Sequence, residues 1–298
     1  MKIAIFGAGW IGKRLQVDLP GVDRRLQEES IDRINITDGR AVRRALRLGK
    51  FNVAINAAGK TGRPNVDWCE SNRQATYESN VSGALVLASA CREAGAHLVH
   101  LGSGCIFYGP SPHATSAGDP GWQEIDPANP ASYYSKTKYA ADLALGGLPG
   151  VCILRLRMPV GGSPHPRNLL TKLAGYPRVI DVSNSVTVVK DLVEVVRQAA
   201  ERRLEGIFHA TNPGALAHRE ILQLYRERID LAHRAEFIAE GDLVASGLAV
   251  APRSSAILAT ERLSAVGIHM RPVQEAVSDA IEQYGRALGS VRVSKRES

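Results

Sequence analysis

Short apolar runs alternate with longer stretches of helical spacing through the first two-thirds of the chain. Lys2–Phe6, Val53–Asn56, His97–Leu101 and Val151–Leu156 are too brief for helices and predict buried strands. Ile11–Asp18, Arg40–Leu48, Thr76–Ala94 and Ser132–Leu145 predict helices. In the longest of them, Val81, Leu85, Leu87, Ala88 and Cys91 supply the apolar positions. Weaker strand signals stand near Val22–Leu26 and at Ile34–Ile36. This alternation predicts an α/β fold: a Rossmann-type, doubly wound parallel sheet with helices on both faces.

The pattern loosens after Met158-Pro159. Gly161–Arg167 is rich in glycine and proline and reads as a loop. Val186–Val189 and Gly206–Ala210 read as strands, with a helix over Asp191–Arg202 between them. From about Asn212 the chain reads as helical with irregular joins. The expected division is a dinucleotide-binding domain of residues 1–156 plus about 179–211. A small C-terminal substrate lobe takes 157–178 plus about 212–288, and 289–298 forms a polar tail.

Composition narrows the class. Of 298 residues, 44% are hydrophobic and 22% charged, as in an ordinary globular protein. No run reaches the ~18 apolar residues that span a bilayer, and the first residues carry no signal-peptide pattern. Cys69, Cys91, Cys105 and Cys152 have neither zinc-site nor disulfide spacing, which suits a reducing cytoplasm and implies no metal. The net charge of +7 is spread along the chain, with Glu194, Glu201, Glu205, Glu220 and Glu227 interleaved in the helical segments. It predicts solvated helix faces rather than a nucleic-acid or membrane partner. A weaker consequence is attraction of anionic small molecules.

Gly7-Ala8-Gly9-Trp10-Ile11-Gly12 follows the first strand and opens the first helix. The first glycine permits a tight turn, the second lets backbone approach a pyrophosphate, and the third lets helix and strand pack closely. The helix N-terminus adds N–H groups and partial positive charge for the phosphates. A ribose-binding acid would stand at the end of the second strand, where Arg24 and Arg25 are found instead. Arginine suits a 2′-phosphate, so NADP(H) is the expected cofactor, with NAD(H) the alternative. Both arginines could equally face solvent. Asp38 suits either the adenine end of the cofactor or the cap of the next helix.

Tyr134 and Lys138 are one helical turn apart and share a face. A neighbouring ammonium favours the phenolate of a tyrosine and so brings its proton into play. Ser103, after a predicted strand, would hydrogen-bond a substrate carbonyl. Cys105, two residues on, has no task in a plain reductase. A lone cysteine there is either a small core residue or a proton carrier in the same pocket. Lys172 is the candidate for a second proton carrier on the opposite face of a substrate.

The glycine loop, Asn56-Ala57-Ala58-Gly59, Ser103 and Tyr134-x-x-x-Lys138 together resemble an extended short-chain dehydrogenase/reductase. Within it, the chain is most similar to the bifunctional nucleotide-rhamnose synthase/epimerase-reductases of plants and some large viruses. The resemblance rests on Thr61-Gly62-Arg63-Pro64-Asn65-Val66-Asp67-Trp68-Cys69-Glu70-Ser71, Gly104-Cys105-Ile106-Phe107 and Leu154-Arg155-Leu156-Arg157-Met158-Pro159. Further blocks are Pro166-Arg167-Asn168, Thr211-Asn212-Pro213-Gly214 and Val250-Ala251-Pro252-Arg253-Ser254. It extends to about residue 285. GDP-fucose synthases share the Ser-x-Cys segment. The dTDP-4-dehydrorhamnose reductases are similar in fold but only reduce, and differ at the Cys105 position.

The resemblance implies 3,5-epimerisation of a UDP- or dTDP-4-keto-6-deoxyglucose by Cys105 and Lys172, then NADPH-dependent 4-reduction by Tyr134 and Lys138 with Ser103. It places Arg63, Asn65, Arg167, Asn168 and Arg253 near the nucleotide sugar, and Asn56, Ala57, Ala58 and Gly59 near the cofactor. No dehydratase segment precedes residue 1, so the 4-keto substrate is expected from a separate 4,6-dehydratase. The oligomeric state stays open, a homodimer included. Three departures stand out. Gly7-Ala8-Gly9 replaces the Gly-Arg-Thr-Gly of the plant proteins, Ser103 replaces a threonine, and Lys60 replaces a small apolar residue. Two other readings remain at this point: a 4-ketoreductase without epimerase activity, and a non-catalytic NADPH-binding regulatory subunit.

Overall fold

Ten strands form among the described residues of the computed structural model, which are 1–23, 31 and 34–294. They are β1 (Ile3–Phe6), β2 (Val53–Asn56), β3 (His97–Ser103), β4 (Val151–Leu156), β5 (Pro159–Val160), β6 (Arg178–Ile180), β7 (Ser183–Val188), β8 (Gly206–His209), β9 (Asn212–Ala217) and β10 (Glu236–Ile238). Every residue of β1 to β4 is buried. Continuous apolar runs of this kind belong to a parallel sheet covered on both faces. The sheet has the order β1-β2-β3-β4-β8, and the β1–β2, β2–β3 and β4–β8 pairs are parallel.

The chain divides into two units. The first comprises Met1–Phe107, Glu124–Arg155 and Val193–His209, and the second Tyr108–Gln123, Leu156–Leu192 and Ala210–Ser298. In the first, helix Gly39–Gly49 turns Val42 and Leu46 into the core, and helix Gly83–Ala94 adds Ala84, Leu87, Ala88, Ala90 and Cys91. Both end on a left-handed residue, Lys50 and Gly95, as helix C-termini commonly do. The second unit packs Val160, Leu173, Val186, Leu216, Ile221 and Val277 into a separate core.

Several expectations need correction. The helix expected over Thr76–Ala94 is interrupted. Arg73–Tyr77 is α-helical, Glu78–Ser82 is a π turn, and Gly83–Ala94 resumes the α-helix. On that turn Asn80 is buried, and its amide bonds both backbone groups of Lys60 and the Thr137 hydroxyl. A one-residue widening leaves no trace in apolar spacing. Ile34–Ile36 is not a strand: Ile34 N donates to Ile31 O, and Ile36 packs into the core. Val22 makes only an isolated bridge to Ile3, and 24–26 lie outside the described residues.

The region after Asn212 contains strands as well as helices. β9 lies antiparallel to β7, with Ala217 opposite Ser183 and a register irregularity before Val186. Its Asn212-Pro213-Gly214 start reads as a turn, which hid it. The 157–178 stretch, in which the sequence marks only the Gly161–Arg167 loop, also holds β5 and helix Leu169–Gly175. The last helix, Val273–Ser294, continues into the stretch expected as a tail.

Candidate active site

The glycine loop is built on contacts that only glycine allows. Gly7 has φ +107°, and a Cβ there would lie 2.4 Å from Ala58 N. A Cβ on Gly12 would lie 1.9 Å from Gly7 O, so this glycine sets how closely the helix meets the turn. A Cβ on Gly9 would meet nothing within 4 Å. Gly9 is the N-cap of helix Trp10–Asp18 and offers no side-chain cap to its N–H groups. Trp10 and Ile11 are half-buried at its start. Open space before an uncapped helix N-terminus fits a dinucleotide pyrophosphate. Alongside, Ala57 N donates to Phe6 O at 2.8 Å, which holds the Asn56–Gly59 turn against the end of β1.

At the end of β3 the chain tightens into a 3-10 turn, Gly104–Ile106. The Ser103 hydroxyl accepts from Cys105 N at 3.2 Å, which fixes the two catalytic candidates on one turn. Ser103 is buried. Cys105 is half-exposed, whereas Cys69, Cys91 and Cys152 are buried. Burial pushes the Cys91 and Cys152 thiols up to about 12.

Helix Tyr133–Leu145 is anchored at its start. Ser132 Oγ accepts from Ser135 N at 3.2 Å, Glu70 Oε1 accepts from Tyr133 N at 2.6 Å, and the Arg73 guanidinium lies 5.3 Å from the Tyr133 ring centre. Tyr134 is half-buried on the first turn. Lys138, one turn on, is buried. Its Nζ donates to Leu101 O at 2.8 Å and lies 3.4 Å from His100 Nε2. Burial weakens the hold of Lys138 on its proton, while the Asp142 carboxylate and the Cys105 sulfur act the other way.

Three participants were not evident from the sequence. His100 sits inside β3, its Nδ1 3.0 Å from Asn56 Nδ2. Asn56 Oδ1 in turn accepts from Ala58 N at 3.1 Å, on the turn against which Gly7 packs. Burial holds His100 well below the usual histidine range, and the nearby Lys138 lowers it further. Asp142 accepts from Arg155 Nε at 2.8 Å, and Arg155 also donates to Glu124 O at 3.1 Å. Burial raises the Asp142 carboxyl, and Arg155 pulls it back only in part.

The remaining candidates have varied placements. Asp38 caps helix Gly39–Gly49, its carboxylate accepting from Arg40 N and Ala41 N, both at 3.0 Å. Arg24 and Arg25 lie outside the described residues. Asn65 Oδ1 accepts from Asp67 N at 2.8 Å, just past the Arg63–Pro64 cis peptide. Lys60 has a physical account: its ammonium lies 5.6 Å from the Trp68 ring centre.

In the second unit, Lys172 is half-buried on the last turn of helix Leu169–Gly175. Arg167 N donates to His165 Nδ1 at 3.0 Å, and Arg253 Nη1 donates to Ala251 O at 3.3 Å. Next to Arg253, Ser254 accepts from the buried Arg157 guanidinium at 2.8 Å. Asn168 is held by its own loop. Its Oδ1 accepts from Gly161 N and Leu170 N, and its Nδ2 donates to Gly161 O and Ser163 O. All four hydrogen-bonding positions of the amide are filled, so it staples the loop.

A family model described as the RmlD substrate binding domain matches residues 1–286. The bifunctional dTDP-4-dehydrorhamnose 3,5-epimerase/dTDP-4-dehydrorhamnose reductase of Arabidopsis thaliana is 46% identical over 178 residues, which are 59% of each chain. A trifunctional UDP-glucose 4,6-dehydratase/UDP-4-keto-6-deoxy-D-glucose 3,5-epimerase/UDP-4-keto-L-rhamnose-reductase of the same plant is 37% identical over 261 residues. That match covers 86% of this chain and 38% of the relative. The present chain therefore spans 59% of the first relative's length and 38% of the second's. The crystal structure of the UDP-rhamnose synthase of Acanthamoeba polyphaga mimivirus superposes with a TM-score of 0.83 at 28% identity, over 95% of this chain and 99% of that one.

Proposed function

The chain belongs to the RmlD substrate-binding-domain family, and on that premise we propose that it is a nucleotide-sugar 4-ketoreductase that also epimerises its substrate. The substrate class is a UDP- or dTDP-linked 4-keto-6-deoxyglucose, and the product the corresponding L-rhamnose nucleotide. Relatives named for both activities and the mimivirus UDP-rhamnose synthase support this reading.

The observation that carries the epimerase half is the half-exposed thiol of Cys105, on the 3-10 turn that follows β3 and tied through its N–H to the Ser103 hydroxyl. A 4-ketone acidifies the C–H bonds at C3 and C5. Cys105 removes and returns a proton at these carbons, and the resemblance assigns the opposite face to Lys172. Ser103 and Tyr134 hydrogen-bond the C4 oxygen and stabilise the enolate charge. NADPH, which the Gly7–Gly12 loop and the start of helix Trp10–Asp18 would hold, would supply the hydride for C4. Tyr134 then gives its proton to the C4 oxygen, so that the ketone becomes an alcohol. Holding the reacting carbon in place contributes much of the acceleration.

Cys105→Ser is expected to abolish solvent deuterium uptake at C3 and C5 while sparing reduction of an already epimerised ketone. Undiminished uptake in that variant removes Cys105 from the mechanism and leaves a plain reductase.

A further inference from the structure

Hydrogen-bond directions around Lys138 can be assigned from one fixed donor. The backbone N–H of Ala58 can only donate, and it meets Asn56 Oδ1 at 3.1 Å. That fixes the amide orientation, so the group facing His100 Nδ1 at 3.0 Å is the Asn56 NH2, which can also only donate. Nδ1 of His100 therefore accepts and carries no proton. A neutral imidazole must then hold its proton on Nε2. This N–H faces Lys138 Nζ at 3.4 Å. An ammonium has no lone pair to receive it, whereas a neutral amine has one. The amine still has an N–H for Leu101 O, its partner at 2.8 Å.

We propose that Asn56 and His100 form a one-way hydrogen-bond relay that holds Lys138 as a neutral amine in the cofactor-free protein. His100 is a positioning residue, acting through Lys138. The inference deepens the reductase reading and rests on it for its functional meaning. The ammonium that assists Tyr134 is then not a standing feature. Protonating Lys138 sets two donors against each other unless the amine turns away or His100 exchanges tautomer. The relay starts on Ala58, whose N lies 2.4 Å from where a Cβ on Gly7 would stand. It thus connects the turn beside the glycine loop to the proton-handling lysine.

The groups that bear on Lys138 are His100 and the Leu101 carbonyl from β3, Cys105 from the 3-10 turn, and Asp142 on its own helix. Asp142 and Cys105 favour the ammonium. Burial, the largest influence, favours the amine, and in the relay the Nε2–H of His100 does so through its contact at 3.4 Å.

The first test is the tautomer of His100 in the cofactor-free full chain, read from long-range 1H–15N correlations and assigned by loss of the signal in His100→Gln. The expected pattern is a protonated Nε2 and a bare Nδ1. A protonated Nδ1, or an imidazolium at pH 7, overturns the relay. The second is the titration of Lys138, followed by its 13Cε shift in wild type and in His100→Phe. Loss of the imidazole donor is expected to shift the midpoint upward, whereas a role in burial alone leaves it unchanged or lowers it. Neither measurement depends on turnover, so failure of the relay is distinct from absence of ketoreductase activity, which a product assay reads.

Discussion

The Arg155 guanidinium and the Asp142 carboxylate pair at 2.8 Å with 3% and 1% of their side chains exposed. Asp142 is one turn beyond Lys138 and is among the groups that favour its charged form. Removing one partner of such a pair strands the other charge in the interior, which costs about 3–5 kcal/mol. Asp142→Ala is therefore expected to unfold in denaturant with a stability loss of that size. Arg155→Met combined with Asp142→Leu should recover much of it. Equal losses in the single and double variants would show that the pair is not the source.

The glycine loop yields a contrast between two alanine variants. Gly12→Ala would drive a Cβ to 1.9 Å from Gly7 O, so it should destabilise the fold as well as weaken NADPH binding. Gly9→Ala has open space for its methyl group and should fold with unchanged stability. Its methyl group would stand where a pyrophosphate approaches, and NADPH affinity should fall about tenfold or more, equivalent to ~1.4 kcal/mol. Fluorescence titration with NADPH checks both. Wild-type affinity in Gly9→Ala would place the cofactor elsewhere.

Thiol chemistry separates Cys105 from its siblings. Cys69, Cys91 and Cys152 are buried, and the last two are pushed up to about 12. A disulfide reagent at pH 7.5 should modify one of the four thiols in the folded chain, at Cys105, and all four after unfolding. Peptide mapping identifies the site. Prompt modification of Cys91 or Cys152 would contradict the packing described.

Buried imidazoles, His100 and His218 among them, contribute to the acid side of the stability profile. Burial lowers His100. Burial also lowers His218 more than its bond to Ile180 O raises it. Both resist protonation when folded, whereas the unfolded chain takes up those protons near the ordinary value of 6.5. Stability should therefore fall as pH drops below about 6.5, by up to ~1.4 kcal/mol per pH unit for each group. Thermal melts from pH 7.5 to 5 test this, and the decline should be shallower in His218→Gln if that variant folds.

How much of this was legible in the sequence depends on the range of the interaction. β2 and β3 are recoverable because strands buried on both faces are continuous apolar runs. The Tyr134–Lys138 pairing follows from local helical spacing. His100 and Asn56 are 44 positions apart, and a polar residue inside a strand does not announce its partner. The same holds for Arg155 and Asp142, which meet across a strand and a helix. The four bonds by which the Asn168 amide holds its own loop leave no trace in the sequence block around it. β9 was missed because Pro213 and Gly214 carry turn chemistry into a strand.

The most direct test is the product formed from NADPH and UDP-4-keto-6-deoxyglucose by the wild-type chain in deuterated water. NMR is expected to show a UDP-L-rhamnose with deuterium at both C3 and C5 and the hydride-derived hydrogen at C4. A reduced but unepimerised 6-deoxyhexose, free of deuterium at those two carbons, would contradict the account.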